Sequence, residues 1–198
     1  SICITEMNFI IQNTEMEGQV NIFVWMCVLA GFILGFPYIL WEIWKFISQA
    51  LYEKERKNAK LFIFASSLLF FMGVIFGYYV VIPMSVNFVA TFSVSDVVQN
   101  QFTLSSYMGM VKTSLLAGGL FFELPIIIYF LTKLGLVTPT FLRKYWKYAV
   151  VIILIVAAIV TPPDVVSQTI VAIPMLVIYE VSILISKIVY KNQNIENV

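Results

Sequence analysis

"TPPDVVSQTIVAIPMLVIYE", residues 161–180, decides how the chain is read. Its first four residues make a turn. Pro162 and Pro163 lack backbone donors, and Asp164 is suited to capping a following helix. The apolar run that follows extends from Val165 to about Ile188, and a second run, Tyr145–Val160, precedes the turn. So short a connection makes the two runs antiparallel neighbours. Tyr145–Val160 gives ~24 Å of helix against a hydrocarbon core ~30 Å thick. The pair is therefore expected to be short and to thin the bilayer locally.

Working outward, three further apolar segments are found: Val20 to about Ile47, Leu61 to about Phe88, and about Ser105 to Leu131. With the pair above they make five spanning helices. The whole composition agrees. Of 198 residues, 61% are hydrophobic and 12% charged, and the mean hydropathy is +0.93. A soluble domain carries roughly twice that share of charge. The fold class is an all-α integral membrane protein, a polytopic helical bundle in one domain over 1–198. No internal repeat divides it.

Basic residues orient the bundle. Lys45, Lys54, Arg56, Lys57 and Lys60 lie between the first and second segments. Lys133, Arg143, Lys144 and Lys147 lie between the third and fourth, and Lys187 and Lys191 close the fifth. The opposite connections carry none. By the positive-inside rule the basic side is cytoplasmic. This makes 1–19 an extracytoplasmic loop, 49–60 and 132–144 cytoplasmic loops, and 189–198 a cytoplasmic tail. An upstream helix is the simplest way to place residue 1 outside, so six spans are expected in the complete protein. Lys112, the remaining cation, is expected to snorkel outward.

Function classes narrow by what is missing. The chain has no histidine, and Cys3 and Cys27 have no motif spacing, so metal-site and hydrolase readings weaken and no cofactor is expected. A net charge of +1 offers nothing to a nucleic acid. No nucleophile–base pair or Gly-x-Ser-x-Gly elbow is present, and the chain is not read as an enzyme.

Polar residues inside apolar segments are the functional candidates. Glu123, in "GGLFFELPIIIYF", lies ten residues from Lys133 and so ~15 Å from the cytoplasmic boundary. Pro125 frees the carbonyl of Phe121, and Gly118 and Gly119 lie one turn above, so a polar cavity is expected at a weakened point of the helix. Glu42 reads as an interfacial partner of Lys45. Glu180 needs Lys187 or another helix. Gln168, one turn past Asp164, needs a partner too. With Thr161 and Thr169 it lines a wet groove or bonds a visiting helix. In the loop "FISQALYEKERKNAK", Glu53 and Glu55 offer carboxylates to guanidinium groups.

Four runs together resemble the TatC family, the membrane-embedded receptor core of the twin-arginine protein translocase. They are "FPYILWEIWKFISQALYEKER" at 36–56, "FMGVIFGYYVVIP" at 71–83, "FFELP" at 121–125 and the opening stretch at 161–180. The resemblance implies a receptor for signal peptides carrying an arginine pair. It also implies assembly into oligomers with single-span subunits of the TatA/TatB type in the cell (inner) membrane, and export of folded proteins driven by the proton-motive force. It assigns signal-peptide binding to Phe46 and Glu55 and an intramembrane polar site to Glu123. Partner docking and the periplasmic cap fall to Thr161, Asp164, Gln168 and Thr169, and structural roles to Pro37, Pro83, Pro125, Pro162 and Pro163. Gln49 stands where the family usually has proline. The family's N-terminal segment and first helix have no counterpart in these residues. The alternative from the residues alone is a proton-coupled small-solute transporter using Glu123, which predicts repeats and paired broken helices.

Overall fold

The computed structural model describes residues 11–12, 17–47, 59–91, 102–161 and 165–196. Helix α1 is Gly18–Ile47 and contains Pro37. Helix α2, Ala59–Phe76, runs through a π-helical turn, Gly77–Val81, into α3, Ile82–Thr91. The third span is α4, Leu104–Phe122, and α5, Leu124–Lys133, with Glu123 between them. A short α6, Pro139–Lys144, leads into α7, Trp146–Val160, and α8 is Val165–Glu196. Before α1, Ile11–Gln12 pairs in parallel with Phe102–Thr103, which ties that segment to the start of α4.

Among the described residues, four helical stretches are long and apolar enough to cross a membrane: Gly18–Phe46, Phe62–Thr91, Leu104–Lys133 and Val165–Asn192. Helix α7, at 15 residues and ~23 Å, is the short one. The expectation of a short pair is thus corrected. Helix α8 has 32 residues, because Pro174 is accommodated within it and the polar residues after Tyr190 still extend the helix. Residues 189–196, expected as a tail, are its last two turns. Residues 132–144 are likewise less of a loop than expected. Helix α5 ends at Lys133, Gly135 turns the chain at φ +73°, and α6 follows. Only glycine takes that φ without steric penalty. Thr138 then caps α6, its Oγ1 accepting the Phe141 N–H at 3.2 Å, with Pro139 at the first helical position.

Helical structure continues through Pro83. A proline lacks the N–H that would bond residue 79 and its ring crowds that carbonyl. The chain relieves this one turn earlier by widening into the π turn, where the Ile82 N–H donates to Gly77 O.

Helix α5 packs along α8, α2 along α4, and α7 beside α8. One buried cluster joins Ile153, Ala157 and Val160 of α7 to Val171, Ala172 and Met175 of α8. Ala157 and Ala172 let these two backbones approach. A second joins Leu29, Ile82, Val111 and Leu115 where α1, α3 and α4 meet. Lys112 lies next to this cluster with its Nζ 5.2 Å from the Trp25 ring centroid, a cation–π contact between α4 and α1.

Candidate functional site

Close approach of α2 and α4 builds the site. A Cβ at Gly118 would lie 2.6 Å from the Gly73 carbonyl oxygen, and one at Gly77 would lie 2.6 Å from that of Ser114. A Cβ at Gly119 would strike the Phe70 ring at 2.6 Å. The two helices meet backbone to backbone, as small residues permit in membranes. The glycines expected to weaken the third span are therefore a packing seam. Antiparallel register follows from it. With Gly73 opposite Gly118 and Gly77 opposite Ser114, the residue two turns before Gly73 comes beside Glu123. That residue is Ser66.

Glu123 is 5% exposed. Ser66 Oγ donates to its Oε2, and its Oε1 has no hydrogen-bond partner among the described residues. Pro125 breaks the third span where expected. The Glu123 N–H bonds Leu120 O at 3.2 Å in a tightened turn, and Glu123 O accepts both Ile126 N–H and Ile127 N–H at 3.0 Å. Two groups thus share one carbonyl, and the carboxylate sits at the joint.

The cavity expected there is present, with a volume of about 310 Å³. Helix α1 supplies Phe36, Leu40 and Trp44, α2 supplies Phe62 and Ser66, and the third span supplies Leu120, Glu123 and Phe130. Aromatic layers bound it at both ends. Trp44, Phe62 and Phe130 pack at 4.3–5.3 Å between centroids. Phe36 and Phe70 stack at an interplanar angle of 11°. The cavity is apolar except for one carboxyl and one hydroxyl, and the free oxygen is the feature that fixes what it suits. It can accept a hydrogen bond from a group brought in between α1 and the α2–α4 pair.

The other expected residues lie elsewhere. Phe46 is at the end of α1 and 78% exposed. Glu55 lies outside the described residues, as do Glu53, Pro162, Pro163 and Asp164. Thr161 is buried, its hydroxyl bonded to Ala157 O at 2.9 Å, and Thr169 Oγ1 donates to Val165 O at 2.6 Å. Gln168 Nε2 donates to Leu154 O at 3.0 Å and so fastens the first turn of α8 to α7. Each of these three donors thus serves its own helix or its neighbour, while their oxygens keep acceptor sites. Pro37 sits within α1 beside the α1–α2 contact and Pro125 opens α5.

Glu180 finds another helix. Trp146 Nε1 donates to its Oε1 at 2.7 Å, while Tyr179 OH donates to Leu142 O at 3.1 Å. Ser66, the Gly73–Gly77 pair and Trp146 were not anticipated. The G-x-x-x-G spacing of 73–77 is the sequence signal that leads to the first two.

Among the described residues no group of three His, Cys, Asp or Glu side chains is placed to hold a metal. Residues 4–174 match the family model described as "Sec-independent protein translocase protein (TatC)". The TatC protein of a Blattabacterium from Periplaneta americana is 45% identical over 94% of this chain and 70% of its own length. The TatCy protein of Bacillus subtilis is 41% identical over 89% of this chain and 70% of its own. A crystal structure described as the twin-arginine translocase receptor TatC superposes with a TM-score of 0.77. Its identity is 32%, over 90% of this chain and 78% of that one. Matched along most of its length in sequence, and in the helical bundle that holds Glu123, the chain belongs to the TatC family of Sec-independent protein translocase proteins, membrane-embedded transport components.

Proposed function

We propose that this chain is the signal-peptide receptor and core subunit of a translocase that exports folded proteins, driven by the proton-motive force. Glu55, with Phe46 nearer the end of α1, recognises an arginine pair and its apolar neighbour. A guanidinium fork matches a carboxylate bidentately, which an ammonium does not. Single-span subunits of the TatA/TatB type dock at the turn between α7 and α8, around Thr161, Asp164, Gln168 and Thr169. The basic ends of the helices, with the C-terminus, face the cytoplasm, and several copies assemble.

The observation that carries this reading is the buried carboxyl of Glu123 with an unpaired oxygen in a cavity between helices. A buried acceptor of this kind favours an incoming donor over lipid. In this role Glu123 takes a polar side chain of an inserted signal peptide or partner helix. Solute transport is not favoured: the relatives are translocase proteins.

A photo-crosslinker at Phe46, in membranes containing the partner subunits, tests the receptor role. A signal peptide with an arginine pair is expected to crosslink and the same peptide with a lysine pair is not. Equal crosslinking of both would refute it.

A further inference from the structure

The basic end of α7 lies deeper than the basic ends of its neighbours. Lys133 and Lys187 mark one level, because Thr132 Oγ1 and Ser186 Oγ meet at 2.8 Å. Glu180 is seven residues back along α8 from Lys187, ~10 Å toward the middle of the bilayer. Trp146 Nε1 reaches Glu180 Oε1 at 2.7 Å, so α7 begins at that depth. Counting from the far ends agrees. Val160 ends α7 and Val165 begins α8, and they lie fourteen residues from Trp146 and fifteen from Glu180. Leu142, whose carbonyl accepts the Tyr179 hydroxyl, joins the buried cluster that holds Ile183, ~6 Å inside the level of Lys187. The shortness of α7 is thus taken up at its start.

Three cations are carried down with it. Arg143, Lys144 and Lys147 are exposed and lie ~6–10 Å inside the level of Lys133 and Lys187. Among the described residues the side chains of Arg143 and Lys147 make no hydrogen bond or ion pair, and Lys144 has only the Tyr145 ring, 6.0 Å from its Nζ. Glu180 is the acid beside them, so three positive charges against one negative leave two in excess. Charge at this depth is costly unless the side-chain stems carry it toward the headgroups or the headgroups sink to meet it. The backbone cannot swing outward, because the Tyr179–Leu142 and Trp146–Glu180 bonds fasten it to α8. Past the cations, Tyr148, Ile152, Ile155 and Ile159 recur every three or four positions as one exposed stripe of α7. A cationic head therefore leads straight into an apolar track that faces lipid.

We propose that the start of α7 binds one anionic phospholipid of the adjacent leaflet, with its phosphate held by Arg143, Lys144 and Lys147 and its acyl chains along the α7 stripe. A guanidinium fork takes two phosphate oxygens, and the two lysines add point charges. Basic pockets at helix ends suit anionic headgroups for this reason. A zwitterionic lipid brings its own cation to the same place and leaves the excess charge uncompensated. An acidic peptide from water would enter below the headgroups with its backbone groups unsatisfied. The Glu123 cavity is walled by α1, α2 and the third span, and a cationic site repels an arginine pair, so the proposal stands apart from the receptor reading.

The probes are phosphatidylglycerol and phosphatidylcholine, each carrying a photoreactive diazirine on one acyl chain, added in turn at low mole fraction to phosphatidylcholine nanodiscs that hold the full chain. Label on residues 148–159 is measured by mass spectrometry after irradiation. Phosphatidylglycerol is expected to label this stretch at least about fivefold more than phosphatidylcholine, the factor for one Lys or Arg near an anionic headgroup. Arg143→Gln with Lys147→Gln brings the ratio near one and leaves phosphatidylcholine labelling unchanged. Lys54→Gln with Lys57→Gln removes the same charge from residues 49–60 and leaves the ratio as it was. Equal labelling by the two lipids in the unaltered protein overturns the proposal, and so does a ratio that survives the first pair of substitutions. A ratio that falls equally with the second pair overturns it as well and assigns the preference to overall charge. Inorganic phosphate, compared with chloride at matched ionic strength, is expected not to compete. Loss of phosphatidylglycerol labelling in its presence would make the site one for a free anion and refute the lipid assignment.

Discussion

Alanine at Gly118 is expected to push α2 and α4 apart, and the structure gives the scale. The new Cβ would stand 2.6 Å from the Gly73 carbonyl oxygen, where ordinary contact begins at 3.4 Å. The backbones must therefore separate by about 0.8 Å, since no flexible side chain is there to move. Gaps of that size forfeit a quarter to a half of each dispersion contact, and overpacking of this kind costs about 1–3 kcal/mol. Alanine also favours the helix by about 1 kcal/mol over glycine, which conceals part of the loss. Gly109 provides the reference. It lies in the same helix with nothing within 4 Å of its Cβ position, so Gly109→Ala keeps the helix gain without the clash. Unfolding in mixed detergent micelles, followed by tryptophan fluorescence, should show Gly118→Ala less stable than Gly109→Ala by about 1–3 kcal/mol. Two alanine variants of equal stability would refute the seam, and with it the register that brings Ser66 to Glu123.

Two further outcomes are expected. Ser66→Ala leaves both carboxyl oxygens of Glu123 without a described partner and should cost about 1–3 kcal/mol. Adding Glu123→Met removes the stranded group and should recover much of that loss, whereas additive losses in the same unfolding assay would show that the two side chains do not meet. Trp146→Phe keeps an aromatic ring but loses the bond to Glu180, an expected loss of about 0.5–1.5 kcal/mol from that bond. Because Glu180 is the acceptor, the same substitution made on a Glu180→Leu background should cost distinctly less, and an undiminished loss there would assign the effect to packing of the indole.

The spans were legible because a bilayer leaves few alternatives. Every backbone group must be satisfied inside its own segment, so apolar length alone marks a helix. Glu123 was legible for a related reason: an acid in such a segment, followed at two residues by Pro125, has few structural explanations. The length of α8 was not legible, because hydropathy falls after Tyr190 while helical hydrogen bonding does not depend on hydropathy. The partner of Gln168 was not legible either. A carboxamide near a helix start advertises a need for a partner, but the partner is the Leu154 carbonyl, and a main-chain acceptor leaves no trace in residue type.

Ser66 shows where single-segment reading ends. Nothing in "FIFASSLLFF" distinguishes it from Ser67, which merely returns its hydroxyl to Ile63 O at 2.8 Å. The difference appears only when α2 is laid against α4. Gly73 and Gly77 are four residues apart, and Ser114 and Gly118 are four residues apart, so two small-residue faces of equal spacing can be set in antiparallel register from their spacing alone. That single alignment selects Ser66 over Ser67, puts a hydroxyl beside the one carboxyl in the middle of the third span, and turns Phe70 onto Gly119. The intramembrane acid is thus held by the part of the bundle whose spacing is least tolerant of change. Helix α1, which forms the remaining wall of its cavity through Phe36, Leu40 and Trp44, has most of its described residues exposed. The rigid part of the site is thus the α2–α4 seam behind Glu123.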